Sequence, residues 1–148
     1  MNKNKAIPTI LFLSSIFILP GCGGTRLSKL SYDESYQLNQ INKAEDCYDA
    51  SIFLDADIQI ANDITRKVLV AIDATIQEDS LSFIRAQRNR HIGVFVGSGG
   101  EQLFITLQEI NDNSTFITVA TKTGFVGGAG QTSWSCKVVE ELAKMTSK

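Results

Sequence analysis

Between residues 52 and 60 the even positions are apolar: Ile52, Leu54, Ala56, Ile58 and Ile60 alternate with Phe53, Asp55, Asp57 and Gln59. Period-two alternation of this length predicts a half-buried strand. Asn62 and Asp63 then supply N-cap side chains, and Ile64, Val68, Leu69, Ile72 and Ile76 recur mostly at spacings of three and four. That spacing predicts an amphipathic helix reaching about Glu78. Four strand-like runs follow, at 81–87, 91–96, 102–110 and 115–122, separated by "RNR", "GSGGE" and "NDNS". Separators this short favour antiparallel hairpins, because parallel strands need a longer crossover. A glycine-rich loop, 124–131, leads into a last helix over about 132–145, capped by Thr132 or Ser133, with Trp134, Val138, Leu142 and Met145 as its apolar stripe.

The predicted order is β-α-β-β-β-β-α, without internal repeats. Two amphipathic helices bury most simply against one face of a sheet, so the expectation is an α+β domain: a five-stranded antiparallel sheet with two helices packed on one face. Upstream, residues 23–50 are polar and read as a tether, which as a flexible coil would span on the order of 30 Å. Ser31-Tyr32-Asp33-Glu34 has capping-box form, and Leu38, Ile41, Ala44 and Tyr48 follow at near-helical spacing.

Further upstream, Lys3 and Lys5 precede an apolar run over 10–19 broken only by Ser14 and Ser15. The run is shorter than the ~20 residues a membrane-crossing helix requires and matches the apolar region of a secretory signal. It ends at Leu19-Pro20-Gly21-Cys22, which resembles the lipobox of bacterial lipoproteins: an aliphatic residue at −3, a small one at −1, then cysteine. The resemblance implies that Cys22 becomes the first mature residue and carries acyl chains such as palmitate on its sulfur and amino group. Gly23 stands where an aspartate would mark inner-membrane retention, so by that likeness the anchor belongs in the outer membrane of a Gram-negative bacterium, with the domain facing the periplasm or the cell surface. The expected organisation is a signal peptide over 1–21, the lipidated Cys22 and tether over 22–50, and the α+β domain over 51–148.

Removing 1–21 from the 148 residues leaves one domain's worth of chain and, with Lys3 and Lys5 gone, moves the formal charge from −2 to −4. A mildly acidic chain does not neutralise phosphates in bulk, which argues against nucleic acid as a partner. Cys47 and Cys136 remain, either bridged, as an oxidising compartment permits, or as two buried thiols. With His91 as the only histidine and no CxxC spacing, no metal and no cofactor are expected.

The alternating segment, the helix and the glycine loop together resemble a family of small bacterial lipoproteins that carry a single domain of unknown function. The corresponding residues are 56–61, Asp63 with Val68, Ala71 and Ala74, and 124–130 leading into Ser133, Val138 and Leu142. The likeness covers roughly 52–145. It implies a compact lipid-anchored domain and supplies no activity or catalytic residues.

Candidate chemistry is sparse. "GGAGQTS" before a helix invites a phosphate-site reading, but the P-loop pattern fails at Phe125 and Gln131, which stand where it needs its first glycine and its lysine. Asp55 and Asp57 share a face of the predicted strand and read as solvated, and His91 with Ser82 or Ser98 has no nucleophile-elbow context. The turn "RAQRNRH" gathers Arg85, Arg88, Arg90 and His91, either as an ordinary solvated turn or as a basic knob suited to an anionic glycolipid or an acidic protein surface. Strand parity that points Ile52, Leu54, Ile58, Ile60, Ile92, Val94, Val96, Leu103, Ile105, Leu107, Ile117 and Val119 at the helices turns Phe53, Phe95, Phe104 and Phe116 away from them, more aromatic surface than a monomer normally leaves in water. A partner, an apolar ligand or the 23–50 segment covers them, or a parity shift returns them to the core. The expectation is a non-enzymatic envelope lipoprotein anchored through Cys22, docking on another envelope protein or glycolipid through these phenylalanines and arginines. The alternative is a carrier of a small apolar ligand or lipid, with a cavity between helices and sheet.

Overall fold

The computed structural model describes residues 26–92, 97–124 and 131–146. The signal-like segment, Cys22, Phe95 and most of the glycine loop lie outside the described residues. The chain is α+β. Strands β1 (Ile41–Lys43) and β2 (Asp49–Leu54) precede helix α1 (Ile58–Ala71), and β3 (Ala74–Asp79) and β4 (Phe83–Arg88) follow it. The short strands β5 (His91–Ile92) and β6 (Gly97–Ser98) pair with each other, and β7 (Gln102–Asn111), β8 (Ser114–Lys122) and α2 (Ser135–Thr146) complete the order. The main sheet is open and antiparallel throughout, in the order β1-β2-β8-β7-β4-β3.

It therefore has six strands and not the expected five. Two were missed and one was misplaced. β1 lies within the segment read as a tether, and β3 in what was read as the last turns of the first helix, whereas 91–92 belongs to a separate two-stranded ribbon. The boundaries of α1, and with them β3, trace to two aspartates. The Asp57 side chain accepts hydrogen bonds from the backbone N–H groups of Gln59 and Ile60, at 2.9 and 2.8 Å. The strand consequently stops at Leu54 and the helix starts at Ile58, before Asn62 and Asp63. At the other end Asp73 takes a left-handed conformation, φ 59°, and its N–H bonds the Val70 carbonyl. An aspartate tolerates that geometry, and it ends the helix. Asn62, the expected cap, is instead 2 % exposed inside the helix, donating to the carbonyls of Ser80 and Leu81 and accepting from Arg66. It ties α1 to the β3–β4 turn.

Both helices lie on one face of the sheet. Ile52 and Leu54 of β2, Ile117 and Val119 of β8, Leu103 and Ile105 of β7 and Ile84 of β4 form one buried cluster with Val68 and Leu69 of α1 and Val138 and Leu142 of α2. The inward set expected from alternation is reproduced at β2, β7 and β8. Ile60, by contrast, is 52 % exposed, because it sits on a helix and not on a strand. No described helix is long and apolar enough to cross a membrane.

Cys47 and Cys136 form a disulfide across 89 residues of sequence, joining the β1–β2 turn to the first turn of α2. In the chain-entropy model a loop of that length is worth roughly 4–5 kcal/mol.

Two outcomes follow from these constraints. Reducing the bridge, or substituting Cys136→Ser, should lower unfolding stability by about 4 kcal/mol in urea titrations with and without reductant. Asp57→Ala should cost about 1 kcal/mol, the usual value of an N-cap, whereas Asp63→Ala should change stability by less than about 0.5 kcal/mol.

Candidate functional site

The sheet face opposite the helices carries Phe53, Phe104 and Phe116, for which the assigned parity holds, while Phe95 lies outside the described residues. Phe53 of β2 stands directly across from Phe116 of β8, and Phe104 of β7 across from Ala120 of β8 and Arg85 of β4. All three phenylalanines are nevertheless buried, with Phe116 1 % exposed. They are not a contact surface for a partner. For Phe53 and Phe116 the cover is the segment upstream of β1. Tyr32 packs edge-on against both rings, with centroids 5.3 and 5.6 Å away, and Tyr36 lies 5.8 Å from Phe116. Residues 27–31 continue across β7 and β8, where Leu27, Leu30, Thr106, Gln108 and Phe116 line a cleft of about 200 Å³.

This segment is a strap, held at both ends. At one end Asn39 and Gln40 exchange backbone hydrogen bonds with Phe53. At the other, the Arg26 guanidinium donates to the Thr121 carbonyl and, at 3.0 Å, to the Asp49 carboxylate, and stacks on the Tyr48 ring. Asp49 is 5 % exposed, so the pair is sheltered from the screening that makes surface ion pairs weak. Local polar bonds displace the expected helix in the strap. The Asp33 carboxylate accepts from the hydroxyl and the backbone N–H of Ser35, which holds its pKa below the usual value. Such bonds compete with helical ones. The β1 edge is also tied to α2, because Lys43 donates to Glu140 and thereby lowers the glutamate's pKa.

The arginines do not act as one knob. Arg88 faces inward at the junction of three elements: its Nε donates to the Ile72 carbonyl at 3.1 Å, its guanidinium lies 3.5 Å from the Trp134 ring centroid, and its Nη1 is 3.8 Å from Glu101. Glu101 is 1 % exposed and accepts from the Thr132 N–H. Arg88 is thus a mostly buried cation facing a buried carboxylate, with only part of its side chain reaching the surface. Arg85 is half-buried on the open face, 3.7 Å from Glu78. Arg90 alone of the three is well exposed.

It does not stand alone in space. Gly99 and Gly100 both adopt positive φ, and a Cβ on Gly99 would fall 1.9 Å from the Asn89 carbonyl oxygen. These glycines let the chain fold closely against the end of β4. Arg90 then shares a groove of about 280 Å³ with Gln87, Gln102 and Lys122. Gln87, Gln102 and Lys122 stand in one cross-strand row of the sheet, and Gln77 extends the row by donating to Gln87 at 2.7 Å.

Sequence reading missed Arg26, Tyr32, Tyr36, Glu101 and the role of Trp134. For the tyrosines a signal was present, since two aromatics four residues apart in a polar stretch seldom serve a solvated coil. Arg26 and Glu101 carry no local signal, because their partners lie far along the chain, 95 residues away for Arg26 and Thr121.

Arg88→Met should destabilise the fold by about 3 kcal/mol, because it strands a buried carboxylate. Adding Glu101→Gln should recover part of that loss, so a double-mutant cycle by chemical denaturation should show the pair coupled by more than about 1 kcal/mol. No protein-family model matches this chain, and no curated protein is significantly similar to it in sequence.

Proposed function

We propose that this protein is a non-enzymatic envelope lipoprotein: a single α+β module fixed to a membrane through acyl chains on Cys22 and acting by interaction or scaffolding at that membrane. The observation that carries the reading is the Cys47–Cys136 bridge. Disulfides persist in exported proteins and are rare where thiols are kept reduced, so the bridge supports an oxidising compartment. It also consumes two of the three cysteines. Cys22 is left as the odd thiol, directly after an apolar run and in the lipobox-like setting Leu19-Pro20-Gly21-Cys22. With Gly23 next, the likeness to lipoproteins favours the outer membrane, with the domain on the periplasmic side.

Two chains on one residue suffice for anchoring, since each buried methylene contributes about 0.8 kcal/mol. The contact with another envelope protein or glycolipid does not run through Phe53, Phe104 or Phe116, which the chain covers itself. The carrier reading gains little support from the packing. Ile105 is fully buried in the helix–sheet cluster, while Ile72 and Trp134 line a surface groove of about 450 Å³ rimmed by Asp73, Arg88, Lys137 and Glu141. A groove rimmed by charges of both signs is poorly suited to an apolar ligand.

Expressed in a Gram-negative host fed radiolabelled palmitate, the wild-type chain should take up label and fractionate with membranes. Cys22→Ser should do neither. Unlabelled wild-type protein in the soluble periplasmic fraction would overturn the proposal.

A further inference from the structure

The polar groove at one end of the sheet has a position that the strap fixes. Resting on the reading that Cys22 is acylated, we propose that the end of the sheet bearing Arg90, Lys122, Gln87 and Gln102 lies against the anionic phosphate headgroups of the same membrane.

Chain length limits how far the domain can stand from its anchor. A tether reaching to residue 50 would let the domain turn freely at a distance. Arg26 is instead fastened to Asp49 and to the Thr121 carbonyl. Only three residues separate it from Cys22, and the four Cα-to-Cα steps at 3.3–3.6 Å each reach at most about 14 Å. β7, with ten residues, runs away from this end and is about 34 Å long at 3.4 Å per residue. The leash is therefore shorter than the domain. The far end, with the β7–β8 turn, cannot be the part that meets the bilayer while Arg26 stays clamped.

Charge selects the surface within reach. Lys122 is adjacent in sequence to Thr121, the residue Arg26 holds, and Arg90 lines the same groove. Among the described residues neither Arg90 nor Lys122 has an ion-pair partner, whereas Arg26 is matched by Asp49 and Arg88 by Glu101. Of the acids at this end, Asp73 accepts from Asn89. Glu45 and Asp46 lie in the β1–β2 turn, across β2 from the groove. Gln87 and Gln102 add amide donors beside the two cations. Each cation near an anionic leaflet favours binding by roughly fivefold, too little to hold a free protein of net negative charge. A leash of three residues raises the local concentration to the millimolar range or above, at which two cations and an amide row are enough to set an orientation.

The test uses the full-length lipidated protein, reconstituted into vesicles of phosphatidylcholine alone or with about a third phosphatidylglycerol, and read by amide hydrogen exchange. Peptides over 87–90 and 120–124 should exchange roughly threefold more slowly on the anionic vesicles, as expected when a headgroup layer covers them. Those over 80–83 and 111–114 should be unchanged. Arg90→Glu with Lys122→Glu should remove the difference, and inserting about 20 Gly/Ser residues after Gly24 should weaken it by diluting the leash effect. Equal exchange on both vesicles, slowing at the far end, or slowing that survives the double substitution would overturn the orientation. Intact mass of the N-terminal peptide separates the two claims. An unmodified Cys22 overturns the lipoprotein reading and this inference together, whereas an acylated Cys22 without the difference overturns only the inference.

Discussion

The fold depends on covering a sheet that is apolar on both faces. An antiparallel sheet commonly buries one face and wets the other. Here the central strands β2, β7 and β8 place Ile52, Ile105 and Ile117 on one side and Phe53, Phe104 and Phe116 on the other, and all six are buried. Two helices cover the first face. For Phe53 and Phe116 on the second, the chain recruits its own N-terminal segment, with Tyr32 and Tyr36 as the covering rings. Aromatic pairs in edge-on geometry contribute beyond the area they bury. The strap is therefore a partly exposed covering layer over this face.

One end of the sheet gathers the cross-links that hold these layers in register. The disulfide joins the β1–β2 turn to α2. The Ser135 hydroxyl, fully buried, donates to the Tyr48 carbonyl and lies 2.8 Å from the Thr121 hydroxyl, which in turn accepts from the Trp134 N–H. Arg26 fastens the strap to Asp49 and Thr121, and Arg88 links α1, the start of β7 and the start of α2. Buried polar groups are costly unless paired, and these are paired mainly with one another across elements. The strap is thus fastened, at Arg26, to the same end of the sheet that carries the disulfide and the Ser135–Thr121 contacts.

Much of the architecture was legible. Alternation at Ile52 and Leu54, at Leu103 and Ile105, and at Ile117 and Val119 identified which side chains face the helices, because the two-residue repeat of a strand is a local property. The short connections identified antiparallel hairpins for the same reason. The element boundaries around α1 were not legible, since Ile58 and Ile60 satisfy a strand's alternation as well as a helix's stripe, and only the hydrogen bonds of Asp57 separate the two. The basic turn was misread because three neighbouring arginines look alike in sequence. In space one is matched to a buried glutamate, one lies over the open face and one is exposed.

The sequence by itself determined the α+β class, the inward and outward sides of the strands, the pair of cysteines available for bridging and the lipobox-like setting of Cys22. Only the tertiary structure decided what covers the phenylalanines, which arginine stays free, and how little chain separates Cys22 from the clamped domain. The division has a physical cause. Periodicity and capping act over a few residues and leave their mark in adjacent letters, whereas a ring such as Phe116 or a cation such as Arg88 is given its role by groups that folding alone brings near.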